Sequence, residues 1–195
     1  MGEIPVFFLH GLVYAGLLFL VSSGLTLVFG MMNVLNFAHA SFYMLGAYFS
    51  YSLLRITDSL WLSLLICPLL LFLLGALIER YLLRRVHVFG HLHELLLTFG
   101  LAYIIGELVK LTWGNYPLGV NLTGFLAGTV NLFGLTYPVY RLFMFGCAVF
   151  ISLIMAAVLY KTRIGIIVRA SVDDNEMVNS LGINVPRVFM GVFAF

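Results

Sequence analysis

The side chains able to do chemistry gather in two places along a 195-residue chain. The first is Gly30-Met-Met-Asn-Val-Leu-Asn-Phe-Ala-His-Ala-Ser41. It sets Asn33, Asn36, His39 and Ser41 inside a stretch of 51 residues, between Glu3 and Arg55, that holds no Asp, Glu, Lys or Arg. Polar groups in such a stretch are costly unless they face protein or water. A broken helix start there presents N–H dipoles that suit a carboxylate or another anionic group. From Asn36 onward the spacing predicts one helical face of Asn36, His39, Ala40, Tyr43, Gly46, Ala47 and Ser50. Phe37, Leu45 and Phe49 fall opposite and suit lipid. The small, polar face borders either a packed bundle or a pathway. Asn36 serves equally as an N-cap, and Gly46 and Ser50 serve equally for close helix packing.

The second place is the one long polar segment, residues 162–187. Ser171-Val-Asp-Asp174 resembles a capping box with Asp in place of the usual Glu. Asp173, Asp174 and Glu176 fall in the first turns, where a helix dipole favours anions. Gly182 suits the position just past a helix C-terminus. The predicted element is a short helix, Val172–Leu181, with Met177, Val178 and Leu181 as its apolar patch. A helix this short is unstable alone, so it needs a surface: a partner, the membrane face, or the protein's own loops.

Other signals carry less. His87, His91, His93 and Glu94 cluster, and His87 and His91 have the i, i+4 spacing of a metal pair. Gly90 lies between them and argues against a continuous helix, so no metal site is expected. Cys67 and Cys147 sit among apolar neighbours as small hydrophobes. Glu107 and Lys110 either pair locally or extend to the headgroups. Asn121-Leu-Thr123 matches a glycosylation acceptor. No Gly-x-x-x-x-Gly-Lys-Ser/Thr phosphate loop occurs. No catalytic residue and no cofactor are expected, and energy from ATP would have to come from another polypeptide.

The elements that position these residues follow from composition. Hydrophobic residues make up 63% of the chain, and mean hydropathy is +1.10. Charged residues are 9%, against about 25% in soluble domains. That excludes a soluble enzyme, a nucleic-acid binder and a disordered chain. The expected fold is an all-α, polytopic transmembrane helical bundle. A helix crosses the hydrocarbon core in about 20 residues. The charge-free gaps then predict five full spans: Val6–Phe29, Asn36–Leu54, Leu60–Ile78, Leu95–Leu111 and Leu142–Tyr160. Val188–Phe195 reads as the start of a sixth, in a chain cut short at its C-terminus. The N-terminus lacks the basic region and cleavage site of a signal peptide, so the first span is expected to stay as an anchor.

Basic residues set the expected orientation. Arg80, Arg84 and Arg85 follow the third span, and Lys161, Arg163, Arg169 and Arg187 follow the fifth, on the same side. The other side collects only Arg55, Lys110 and Arg141. The first set is therefore expected in the cytoplasm, with the N-terminus outside. Trp61, Trp113, Tyr116, Tyr137 and Tyr140 mark the outer interface, and Tyr81 and Tyr160 the inner one.

Gly24-Leu-Thr-Leu-Val-Phe-Gly30, Asn36-Phe-Ala-His39 and Met44-Leu-Gly-Ala47 together resemble the N-terminal signature of the branched-chain amino acid ABC-transporter permeases of the LivH type. Glu79-Arg80, Thr162-Arg-Ile-Gly165, Arg169-Ala170 and Leu181-Gly-Ile-Asn184 fit the same family in colinear order. Three places depart from its pattern: Arg84-Arg85-Val86-His87, Glu176-Met177-Val178, and Ala40 after the histidine.

The resemblance implies one permease domain over 1–195, incomplete at its C-terminus, with residues 161–187 as the ATPase-coupling segment within it. It implies that Asp174, Glu176, Met177, Leu181 and Gly182 belong to a helix docking on the ATPase. It also implies that Asn33, Asn36, His39, Tyr43 and Gly46 line or support the substrate pathway. The implied partners are cytoplasmic ATP-binding subunits, a second permease subunit, a periplasmic or lipid-anchored substrate-binding protein and the lipid bilayer, with no nucleic acid. The implied location is a bacterial plasma (inner) membrane. Two other readings stay open from the residues alone. One is a passive channel for a small polar solute such as urea or a short amide, since Asn-rich helix starts also line constrictions. The other is a structural membrane subunit. Neither needs the docking helix, which is what separates them from an importer subunit.

Overall fold

A computed structural model describes residues 4–33, 35–120, 124–132 and 135–194; the Asn121-Leu-Thr123 sequence lies outside them. Nearly all of the described chain is helical. The long helices are α1 (Ile4–Met32), α2 (His39–Thr57), α3 (Leu60–Ile78), α5 (His91–Trp113) and α6 (Val139–Lys161). Shorter ones are α4 (Arg84–Val86), α7 (Arg163–Asp173), α8 (Asn175–Ser180) and α9 (Val185–Ala194). A small antiparallel hairpin, β1 (Thr129–Leu132) and β2 (Leu135–Pro138), precedes α6, an addition to the all-α expectation.

Among the described residues, four helical stretches are long and apolar enough to cross a membrane: Ile4–Met31, Leu60–Phe89, His91–Trp113 and Val139–Lys161. The predicted second span forms a helix, α2, but it is not among the four. Its serines, tyrosines, His39 and Arg55 lower its hydropathy. The third span keeps its predicted bounds, and the Ser59 hydroxyl caps it by accepting from the Leu62 N–H at 3.4 Å. The segment after it differs from the expected loop. A π-helical turn over Glu79–Leu83, α4 and a tight turn over His87–Phe89 carry the helix onward. No Gly or Pro interrupts residues 79–89. Gly90, in the left-handed region at φ +96°, ends the run, as its position between the histidines suggested.

The chain divides into two compact units. One holds residues 1–23 and 119–165. In it Gly16 of α1 lies against α6, where a Cβ would come within 3.3 Å of Ala148 Cβ. Tyr137 is fully buried, and its hydroxyl lies 3.1 Å from His10 Nδ1. Arg141 Nη1 also donates to His10.

The other unit holds residues 24–118 and 166–195. Leu45, Ile105 and Val109 form a buried cluster there, with Phe42, Tyr48, Phe49, Leu71 and Trp113 around it. Trp113 Nε1 donates to Ser52 Oγ at 2.8 Å. On the other flank of α2, the carbonyl of Gly46 accepts from Cys67 Sγ of α3 at 3.2 Å. Gly75 lets α3 meet α9, since a Cβ there would stand 3.2 Å from Ala194 Cα. So α2 is packed on both sides. The expectation that Leu45 and Phe49 face lipid is overturned: Leu45 is buried against α5. Periodicity defines two faces of a helix, but here apolar partners stand on one side and small residues admit α3 on the other.

Candidate functional site

The polar stretch between α1 and α2 is a helix break. α1 ends at Asn33, whose φ of +53° is left-handed and whose N–H donates to Phe29 O at 2.8 Å. Asparagine tolerates that conformation better than most residues. Asn36 is buried, and its Oδ1 accepts from the Ala38 N–H at 3.1 Å. Its backbone carbonyl accepts from the His39 N–H at 3.1 Å. The residue thus folds the turn that launches α2. The predicted helix start at Asn36 moves to His39, because Asn36 uses its side chain to bond the backbone two residues on. Asn36 is not the N-cap itself: that position is Ala38, two residues on, whose N–H the Asn36 side chain holds.

The remaining members of this set point to different neighbours. The His39 imidazole lies beside Gly24, where a Cβ would be 3.1 Å from Cε1. Gly46 faces Leu71, whose Cδ1 would be 3.0 Å from an added Cβ. Tyr43 is exposed. Ser41 Oγ reaches the Ala102 carbonyl at 3.5 Å. Gly24-Leu-Thr-Leu-Val-Phe-Gly30 and Asn36-Phe-Ala-His39 therefore meet through Gly24 and His39, a contact invisible in either segment alone.

The polar segment after α6 begins with a shared hydroxyl. Thr162 Oγ1 donates to Val158 O at 2.6 Å and accepts from the Gly165 N–H at 3.2 Å. It closes α6 and caps α7 in one residue. The single predicted helix Val172–Leu181 is corrected: α7 runs through Asp173, the chain turns at Asp174 (φ −152°), and α8 follows. Ser171 is buried inside α7 and does not cap. Asp174 is the cap, accepting from the Met177 N–H at 2.9 Å. The expected cap at Ser171 is thus replaced by one three residues later, because Ser171 and Val168 are buried on one side of α7.

Beyond it, Gly182 takes φ +82° and donates to Asn179 O at 3.0 Å, the expected C-terminal stop. The predicted apolar patch is split. Val178 is buried, while Met177 and Leu181 are 62% and 70% exposed. Glu176 is exposed beside them.

Sequence reasoning set aside the residues around His87, and here the structure assembles most. Glu94 is fully buried at the start of α5 and shares a hydrogen bond with His87 Nδ1. His91 Nδ1 stands 4.0 Å from its other oxygen. Glu79 is also buried, at 2% exposure, and its Oε2 has no hydrogen-bond partner among the described residues. A cavity of about 240 Å³ lies here, lined by Glu79, Arg84, His87, Glu176, Asn179, Val185, Pro186 and Phe189. The signal available in the sequence was Glu79, an acid at the end of an apolar run. Glu107 and Lys110 form a local exposed pair at 2.8 Å.

Residues 7–195 match the family described as branched-chain amino acid transport system / permease component. The chain belongs to that family. Among its relatives is the high-affinity branched-chain amino acid transport system permease protein BraD of Pseudomonas aeruginosa, 27% identical over 94% of this chain and 64% of its own length. The probable branched-chain amino acid transport permease protein LivH of Methanocaldococcus jannaschii is 29% identical over 90% of this chain and 57% of its own. The LivH protein of Salmonella typhimurium is 26% identical over 89% and 60% respectively. The chain thus spans about three-fifths of the length of the curated relatives it matches. No solved structure matches it. Membership in a permease family accounts for the apolar helices.

Proposed function

We propose that the chain is a membrane-spanning permease subunit of an ABC importer for branched-chain or related small amino acids, coupled to a separate cytoplasmic ATPase. The observation that carries this reading is α8: a short, capped helix that holds Val178 inward and presents Met177 and Leu181 outward beside Glu176. Exposed apolar side chains on a helix too short to be stable alone are suited to a groove on a partner. The family match over residues 7–195 supports an ATP-binding subunit as that partner. A second permease subunit and a substrate-binding protein complete the assembly in a bacterial plasma membrane.

In this reading α2 is also a span. Its 19 residues at 1.5 Å each reach about 28 Å, close to the roughly 30 Å core, and its polar side chains are tolerated because α3 and α5 cover it. That gives five spans, with α9 beginning a sixth and the N-terminus outside. Asn33, Asn36, His39, Tyr43 and Gly46 border or support the pathway from the break between α1 and α2.

The test is Leu181→Asp, which places a charge in the docking contact, and Glu176→Lys, which opposes the helix dipole. Both should abolish uptake and loosen co-purification of the ATPase while membrane insertion stays normal. ATPase recovered at wild-type yield, together with normal uptake, would refute docking at α8.

A further inference from the structure

The cavity between the 79–89 segment and the α8–α9 region is a second feature of this chain, which shares Glu176 with α8 but not the exposed Met177 and Leu181. Its lining has a definite chemistry. Glu79 supplies a carboxylate whose Oε2 is buried without a donor among the described residues. Such an oxygen is costly to leave unsatisfied. Glu176 adds a second acid, and Arg84 adds donors. Val185, Pro186 and Phe189 form the apolar part of the lining, and the His87 ring lies 6.4 Å from that of Phe189.

This combination discriminates among ligands. A bare cation would meet Arg84, and a bare anion would meet Glu79 and Glu176. A zwitterion meets neither penalty, since its ammonium answers the acids and its carboxylate answers the guanidinium. The apolar residues then call for an aliphatic side chain. The volume is about 240 Å³. That gives room for a molecule of leucine's size.

We propose that this cavity binds an aliphatic α-amino acid, held between Glu79, Arg84 and Glu176, and that occupancy ties α8 to the 79–87 segment. The choice of an aliphatic amino acid rests on the transport reading above, and its consequence is regulation: amino acid accumulating on the side of α8 would restrain the coupling helix.

The experiment is isothermal titration of the purified full chain in detergent with leucine, with isovalerate, which lacks the amine, and with isoamylamine, which lacks the carboxylate. Leucine should bind, and each analogue should bind at least about tenfold more weakly, because each leaves a charged group of the site unpaired. Arg84→Gln and Glu176→Gln, both at accessible positions and compatible with folding, should each weaken leucine by a similar factor, and Glu79→Gln should do the same. Absence of leucine binding would overturn the proposal, as would leucine binding unchanged in all three variants. Isoamylamine binding as tightly as leucine, with Arg84→Gln silent, would overturn it in favour of a cation pocket. The measurement needs no ATPase and no uptake. Normal uptake without leucine binding removes this inference alone, and leucine binding without any ATPase-dependent uptake removes the importer reading alone.

Discussion

Gly165 offers the sharpest test of the packing. It stands three residues past the Thr162 hydroxyl that joins α6 to α7, and its own N–H donates to that hydroxyl. A Cβ built on Gly165 would lie 2.2 Å from the carbonyl oxygen of Leu159 and 2.4 Å from that of Val158. Real Cβ atoms essentially never come closer than 3.0 Å, so Gly165→Ala must displace the end of α6 by about 0.8 Å. The obstacles are backbone atoms of a helical turn, which cannot swing aside as a side chain would. Overpacking typically costs about 1–3 kcal/mol, and this case belongs at about 3 kcal/mol. Displacement also strains the Thr162–Val158 bond, because both carbonyls belong to the turn that the hydroxyl closes.

Gly146, in the middle of α6 with open space around its Cα, is the control. There alanine should stabilise by about 0.5–1 kcal/mol through reduced backbone entropy of the unfolded chain. The two variants should therefore differ by about 3.5–4 kcal/mol. Denaturant titration in detergent micelles, followed by helical circular dichroism, reads the difference directly. A Gly165→Ala protein as stable as the Gly146→Ala protein would show that the α6–α7 junction is looser than described and would refute the argument.

Three further outcomes are expected. Leu45→Ala should cost about 2–5 kcal/mol, as buried Leu→Ala changes do, because the side chain packs with Ile105 and Val109; Tyr43→Ala, at an exposed position, should cost far less in the same titration, and equal losses would mean that α2 is not packed as seen. Asp174→Ala should remove about 0.5–2 kcal/mol of capping and speed hydrogen exchange at the Met177 amide by about 2–30-fold; unchanged exchange would mean that the cap contributes nothing. In a variant lacking Cys67 and Cys147, a cysteine at Tyr116 should react with an impermeant reagent only from outside the cell, and one at Glu176 only from inside; the reverse pattern would invert the proposed topology.

Much of the helical layout is legible in the sequence because it depends on local quantities. Span length and charge spacing place α3 at its observed bounds and α5 and α6 within a few residues. Gly90 and Gly182 mark stops because their backbone conformations are left-handed, which a sequence signals through glycine itself. The family is legible for a similar reason: its motifs are short and colinear. The small-residue stripe on α2 also pointed correctly to close helix packing, which Gly46 makes with α3.

What the tertiary structure alone decided is which surfaces meet. Periodicity assigned Leu45 to lipid, because a helix in isolation shows two faces and gives no sign that both are covered. The sequence pattern put the cap at Ser171, and the structure puts it at Asp174 because Ser171 is buried within α7. Gly24 and His39 lie in separate motifs and touch only because the chain reverses at Asn33–Asn36. Glu79, Arg84 and Glu176 are the clearest case. Glu176 lies far along the chain from Glu79 and Arg84, and no local rule joins an acid at the end of α3 to another on the short helix α8. Burial brings them to one cavity, where the cost of an unpaired carboxylate, negligible in an extended chain surrounded by water, becomes the feature that defines the site.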